Sequence, residues 1–215
     1  MGNPGDFWVE TIGDPRVCVA ILDGPVDTSH PSLAGANLES SDRLAAASPG
    51  DGPATQHGTH VASILFGSHD SDVRGIAPGC RGLVIPIYSD RSVDSTRPCT
   101  QVDLARAINL AIDQGAHVIN ISGGQFMPSG EAYPLLANIV KSCERRGVLI
   151  VAAAGNDGCD CLHIPGALPT VLAVGAMDRR GEPMSSSNWG SKYREQGLLA
   201  PGEEIPGARP GGGIA

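Results

Sequence analysis

Three polar side chains in this 215-residue sequence stand at the ends of apolar runs, where chemistry can be delivered: His57, Asp23 and Asn156. His57 lies in Thr55-Gln-His-Gly-Thr-His-Val-Ala-Ser-Ile-Leu-Phe-Gly67, at the head of an apolar helical run that follows a polar loop containing Gly and Pro. An imidazole titrates near neutral pH, so one held by the first turn of a packed helix is a candidate general base. Asp23 ends the apolar run Arg16-Val-Cys-Val-Ala-Ile-Leu22, the pattern of a strand buried on both faces, and Gly24 turns the chain there. Asn156 follows another such run, Val148 to Ala154, in the turn Gly155-Asn-Asp-Gly158. Singly, His57 reads as a packing or capping histidine and Asp23 as a turn cap.

The elements that must position these groups alternate along the chain. Residues 24–56, rich in Pro, Gly, Ser and Asp, read as surface connection, and Leu83 to Ile87 is a second apolar strand. Gln101 to Gln114 places Leu104, Ala105, Ile108, Ala111 and Ile112 at helical spacing before Gly115 stops it. The strand Val118-Ile-Asn-Ile121 runs into Ser122-Gly123-Gly124. A further helix carries Leu135, Leu136, Ile139, Val140 and Cys143, ends near Gly147 and hands over to the strand that leads to Asn156. Such alternation predicts a single domain of α/β class, with a mostly parallel sheet covered on both faces. Functional groups in these sheets collect beyond the carboxyl ends of the strands. Asp23, Ser122–Gly124 and Asn156 all stand at such ends, and the His57 helix packs against the same edge in this reading, so their agreement outweighs the plainer alternatives.

A formal net charge of −8 without any Lys or Arg cluster argues against a nucleic-acid partner. No window has the apolar length of a membrane span and the start has no basic region before a hydrophobic core, so no membrane partner is expected; a cytoplasmic location is the expectation, although a mature secreted enzyme whose leader was removed would look the same. Met-Gly-Asn-Pro-Gly-Asp6 begins like a myristoylation signal but has Asp6 where Ser or Thr is required. Of six cysteines, Cys18 and Cys143 read as buried thiols. Cys159-Asp-Cys161-Leu-His163 sets three metal-ligand types at alternate positions, but a structural zinc site takes about four ligands and no second knuckle matches it. A disulfide from this stretch to a distant cysteine is therefore the favoured reading. His57 with His60 lacks the glutamate that a zinc peptidase helix carries beside its first histidine, since Gly58 stands there. Neither a metal nor another cofactor is expected.

In the chain order acid, then histidine, the sequence resembles the subtilisin-like serine proteases. Val19-Ala-Ile-Leu-Asp23-Gly is similar to that family's acid motif, His57-Gly-Thr-His-Val-Ala to its histidine motif, and Val118-Ile-Asn-Ile-Ser-Gly-Gly124 to its substrate-binding strand. Ala152-Ala-Ala-Gly-Asn156 resembles the oxyanion motif and Ala200-Pro-Gly202 the segment leading toward the nucleophile. The resemblance covers nearly the whole chain and implies a three-layer fold. Asp23 would orient His57, His57 would take the proton of a serine, and Asn156 would donate to the oxyanion. Ser122, Gly123 and Gly124 would pair with an extended substrate, and Ala154 and Gly155 would border it. The family commonly has a bulkier residue where Gly123 stands.

Gly13-Asp-Pro-Arg-Val-Cys18, Cys159-Asp-Cys-Leu-His-Ile-Pro165, Ser187-Asn-Trp-Gly190 and Pro210-Gly-Gly-Gly213 are similar to the proteases of cyanobactin-type peptide pathways, which cut ribosomal precursor peptides. Macrocyclising members of that group carry a helical insertion between acid and histidine. Here 33 residues, Gly24 to Gln56, separate the two, so hydrolysis is expected.

The resemblance also implies a Gly-Thr-Ser-x-Ala motif shortly beyond Gly213, and none occurs in these 215 residues. Ser185, Ser186 and Ser187 lack the turn and following apolar helix of a nucleophile and read as loop residues. The expectation is a domain truncated before its nucleophile segment, inactive as written, and unstable alone or completed by the missing C-terminal segment as a partner. A non-catalytic peptide-binding module is the alternative.

Overall fold

The computed structural model describes residues 8–41, 49–92, 95–97 and 99–215. Its chain forms two compact units, Met1–Cys99 with Pro206–Ala215, and Thr100–Ile205.

In the first unit, strand β1 (Cys18–Asp23) pairs in parallel with β3 (Arg81–Pro86), from Cys18 opposite Arg81 to Asp23 opposite Pro86. The short β2 (Leu38–Ser40) pairs in parallel with the other edge of β3. Cys18, Ala20, Ile21 and Leu22 are all buried, as a continuous apolar run predicts, so the strand delivers Asp23 from the core. Helix α1 (Pro53–Phe66) contributes Ala62 and Phe66 to a core with Ile21, Val26, Leu33 and Val84. The stretch 24–56 is more than surface connection: it holds a 3-10 turn at Pro31–Leu33 and β2, and it starts α1. A three-residue edge strand joins through its main chain and needs no long apolar run to announce it. Strands β4 (Ser89–Ser92) and β5 (Ser95–Arg97) form an antiparallel ribbon.

In the second unit, α2 (Gln101–Asp113) is capped by the Thr100 hydroxyl, which accepts from Asp103 N, and Gly115 follows its last turn as predicted. Strand β6 (Val118–Ile121) leads to a two-residue strand β7 (Gln125–Phe126), then to helix α3 (Pro134–Arg145) and strand β8 (Leu149–Ala153). The short β9 (His163–Ile164) pairs antiparallel with β7. Strand β10 (Val171–Met177), helix α4 (Ser191–Gln196) and strand β11 (Gly197–Pro201) complete the unit. The pairings β6–β8, β8–β10 and β10–β11 are all parallel. The α/β class with a mostly parallel sheet therefore holds, and β10, an apolar run given no assignment from sequence, is one of its strands. Among the described residues no helix is long and apolar enough to cross a membrane.

Candidate active site

Asp23 and His57 meet in the first unit. The His57 Nδ1–H donates to Asp23 Oδ1 at 2.8 Å, and Gly24 N donates to the same oxygen at 2.6 Å. Asp23 is buried, 1% exposed, whereas the His57 side chain is 54% exposed. The carboxylate is locked from its main chain too, because its carbonyl accepts from Ile87 N and Tyr88 N. Its Oδ2 is buried with no hydrogen-bond partner among the described residues. With Nδ1 committed to the acid, Nε2 is the nitrogen free to act as a base. The hydrogen bond to Asp23 raises the His57 pKa above its ordinary value; burial pulls it down, and the negative charge of Asp23 adds to the rise.

Two glycines allow this approach. A Cβ on Gly24 would overlap the Ala54 carbonyl, and one on Gly58 would overlap the carbonyls of Gly24 and Pro25. The turn after β1 and the second turn of α1 are thus in backbone contact, which is why small residues follow both Asp23 and His57.

His57 does not open its helix. α1 begins four residues earlier, at Pro53, behind the extended Gly52. The reason is a cap from elsewhere: Asp90, on β4, accepts from Ala54 N at 2.7 Å, from Thr55 N at 3.2 Å and from the Thr55 hydroxyl at 2.7 Å. Its carboxylate satisfies two orphan N–H groups of the first turn and suits the positive end of the helix dipole. Sequence analysis missed Asp90, since a cap 35 positions distant leaves no local signature.

The second unit carries the remaining predicted residues. Ser122 and Gly123 are half-buried and Gly124 is exposed just past β6, where Asn120 Nδ2 donates to Ser122 Oγ at 2.8 Å. Ala154 is buried beyond β8, Gly155 turns with φ +107°, and Asn156 is exposed. The organiser of this turn is Asn188, 4% exposed. Its Nδ2 donates to Ala154 O and Asp157 Oδ2 at 3.2 Å and to Cys161 O at 3.4 Å, its Oδ1 accepts from Asp157 N at 2.7 Å, and its main-chain N donates to Gly155 O. This network keeps Asn156 on a held turn with its own amide uncovered. Sequence reading picked up Asn188 only as part of a motif, because its partners lie about thirty positions away.

The loop beyond Asn156 corrects one expectation. Cys159 is bonded to Cys161 rather than to a distant cysteine, their Cα atoms 5.1 Å apart and within bridging range. In the same loop Trp189 N donates to Cys159 O. His163 stands 2.6 Å from Asp157 Oδ2, an ion-pair contact rather than an aligned hydrogen bond. The Asn188 amide foremost, with His163 adding to it, holds the Asp157 carboxyl below its ordinary pKa. Among the described residues no group of three or more His, Cys, Asp or Glu is placed to hold a metal.

A buried acid hydrogen-bonded to a half-exposed imidazole can remove a proton from a hydroxyl, and an uncovered amide on a fixed turn can stabilise an oxyanion. Comparison with known proteins agrees with that chemistry. A family model of the subtilase family, peptidase S8, matches residues 14–213. The thermophilic serine proteinase of Bacillus sp. (strain AK1) is 34% identical over 201 residues, covering 92% of this chain and 47% of that protein. The chain spans about half to two thirds of the length of the curated relatives it matches. Among solved structures, the prenylagaramide maturation protease PagA superposes with a TM-score of 0.90 at 50% identity, over 100% of this chain and 73% of that one. A Ser-to-Ala mutant of the protease domain of PatA gives 0.88 at 57% identity, over 94% of this chain and 72% of that one. The chain has the subtilisin-like α/β fold and belongs to the subtilase family of serine proteases.

Proposed function

We propose that this chain carries the acid, the base and the oxyanion donor of an endopeptidase that hydrolyses a ribosomal precursor peptide. The observation that carries the reading is the 2.8 Å bond from His57 to the buried Asp23, set on two elements whose glycines permit it. Asp23 fixes the tautomer and supports the imidazolium, and His57 Nε2 takes the proton of the attacking serine and returns it to the leaving amine. Asn156 donates to the tetrahedral oxyanion, and Ser122–Gly124 align the peptide main chain. The likeness to PagA and PatA, a maturation protease and a protease domain, supports a precursor peptide as substrate.

On this reading the serine comes from outside these 215 residues, and the 215-residue chain by itself is inactive. Ser185 and Ser186 lie in a turn, and Ser187 is buried with its hydroxyl accepting from Ala176 N, so none serves as nucleophile. Hydrolysis is preferred to ring closure because, among the described residues, Gly24 to Gln56 holds only a 3-10 turn, β2 and the head of α1. Mass spectrometry of a precursor-type peptide incubated with the complete protein tests this. Two linear fragments that together have gained one water support hydrolysis; a cyclic product without that water overturns it. A folded protein that binds the peptide and leaves it uncut points to the binding-module alternative.

A further inference from the structure

We propose that Asp27 and His30 are positioning residues for the endopeptidase: they moor the hairpin 207–215 within the first unit, so that the proposed nucleophile segment after it is presented to His57. The inference rests on the endopeptidase reading above, in which the serine follows residue 215.

Residues 207–215 fold back on themselves. Gly207 N donates to Ala215 O at 3.2 Å, Ala215 N to Gly207 O at 2.9 Å and Arg209 N to Gly213 O at 3.1 Å, and Ala208 bridges Ile214 in antiparallel fashion. At the tip, Gly211, Gly212 and Gly213 have φ of +79°, +104° and +93°. A Cβ at any of the three would meet open space, so the left-handed backbone and not crowding calls for glycine there. Residues 211–215 are exposed, and an isolated two-stranded hairpin is at best marginally stable. Its place is set by the groups that hold it.

The base of the hairpin lies on the helix of the proposed base. Ala208 N donates to the buried Ser63 Oγ at 2.8 Å, and a Cβ on Gly207 would overlap the ring of His60, three residues after His57 and on the same side of α1. The tip is held by the other two residues. Gly211 N donates to Asp27 Oδ2 at 3.0 Å, and His30 Nε2 donates to Gly213 O at 2.9 Å.

Both anchors are themselves fixed. His30 is 4% exposed and its Nδ1 accepts from Ser32 N at 3.0 Å, so the proton sits on Nε2 and the ring donates in one direction only. Asp27 N donates to the hydroxyl of Thr59, buried in α1, and Asp27 Oδ1 accepts from Ser29 N and Ser29 Oγ. The Gly211 N–H foremost holds the Asp27 carboxyl below its ordinary pKa, so it accepts as a carboxylate. The loop after Asp23 thus joins three things: the acid, the helix of the base and the hairpin tip. The chain leaves Ala215 beside Gly207, hence beside His60, and a serine it carries reaches the His57 imidazole only while the hairpin keeps this place.

The test uses a protein carrying the proposed nucleophile segment. It reads the rate of fluorophosphonate labelling, kcat and KM on a precursor-type peptide, and hydrogen exchange. Asp27→Ala and His30→Ala should each slow labelling and lower kcat by about tenfold to a hundredfold with KM within about twofold, and should speed exchange at residues 207–215 but not along β1 and β3. His30→Gln keeps a donor and Asp27→Asn an acceptor, so both should recover part of the rate. Asp27 is half-buried, and its variants keep the test readable should His30→Ala fail to fold. Unchanged labelling and kcat in folded variants overturns the proposal. A fall in kcat that the conservative variants do not recover, or that comes with faster exchange throughout the unit, overturns it too. A folded, unsubstituted protein with that segment that takes up no probe overturns the endopeptidase reading instead.

Discussion

Asp90 Oδ2 accepts the Thr55 hydroxyl at 2.7 Å, tying the ribbon strand β4 to the first turn of the helix that carries His57. The proposed general base is thereby placed by a residue outside every motif that marks the chain. Its helix is anchored at the N-terminus by Asp90 and pressed at its second turn against the glycine after Asp23. The geometry of the Asp23–His57 pair depends on both contacts.

Replacing Asp90 with Ala removes three hydrogen bonds to α1 and leaves two of its N–H groups unanswered. A loss of about 1–3 kcal/mol in urea unfolding is expected, with a fall in activity as His57 loses its fixed distance to Asp23. Asp90→Asn keeps an acceptor and should recover part of both. Unchanged stability in Asp90→Ala would show that the cap contributes nothing.

The raised pKa of His57 has a definite sign in a pH profile. The base works when neutral, so kcat/KM should rise with pH through a limb above the ordinary histidine value of about 6.5. Asp23→Asn removes the carboxylate that holds the pKa up, moves the limb toward lower pH and cuts kcat by about 10⁴. Protonation coupling follows the same sign: the stabilisation is complete below the unfolded pKa of His57 and is lost as pH rises through the raised folded pKa. NMR titration of the His57 ring reads the shift directly.

Two asparagines in the second unit should respond in opposite ways. Asn156 is exposed and in the proposed function donates its amide to the oxyanion, so Asn156→Ala should lower kcat by about 10²–10³ with little change in stability. Asn188 is buried in a network that spans Ala154, Asp157 and Cys161, so Asn188→Ala should cost about 2–3 kcal/mol in unfolding and speed hydrogen exchange at Asp157 N. Equal effects on stability would refute this division.

What the sequence reveals follows from how local each signal is. The strand-end positions of Asp23 and Asn156 are legible because each follows a run of apolar residues that forms a strand. His57 was legible as the polar head of an apolar helix, though its exact turn was not, since the helix starts where Asp90 caps it. Asn188, Asp90 and the His163–Asp157 pair act through partners brought near only by folding, and no periodicity marks them. The Cys159–Cys161 bond was misread for a related reason: spacing alone says nothing of how tightly the loop between two sulfurs is folded.

Labelling with a serine-directed fluorophosphonate tests the central claim most directly, namely that Asp23 and His57 form the acid–base pair of a serine endopeptidase. In a protein carrying the proposed nucleophile segment after residue 215 the probe should attach to one serine of that segment, and His57→Ala should abolish the labelling while leaving the fold intact by circular dichroism. The 215-residue chain alone should stay unlabelled. A folded protein with that segment that takes up no probe, or that labels equally without His57, would contradict the account.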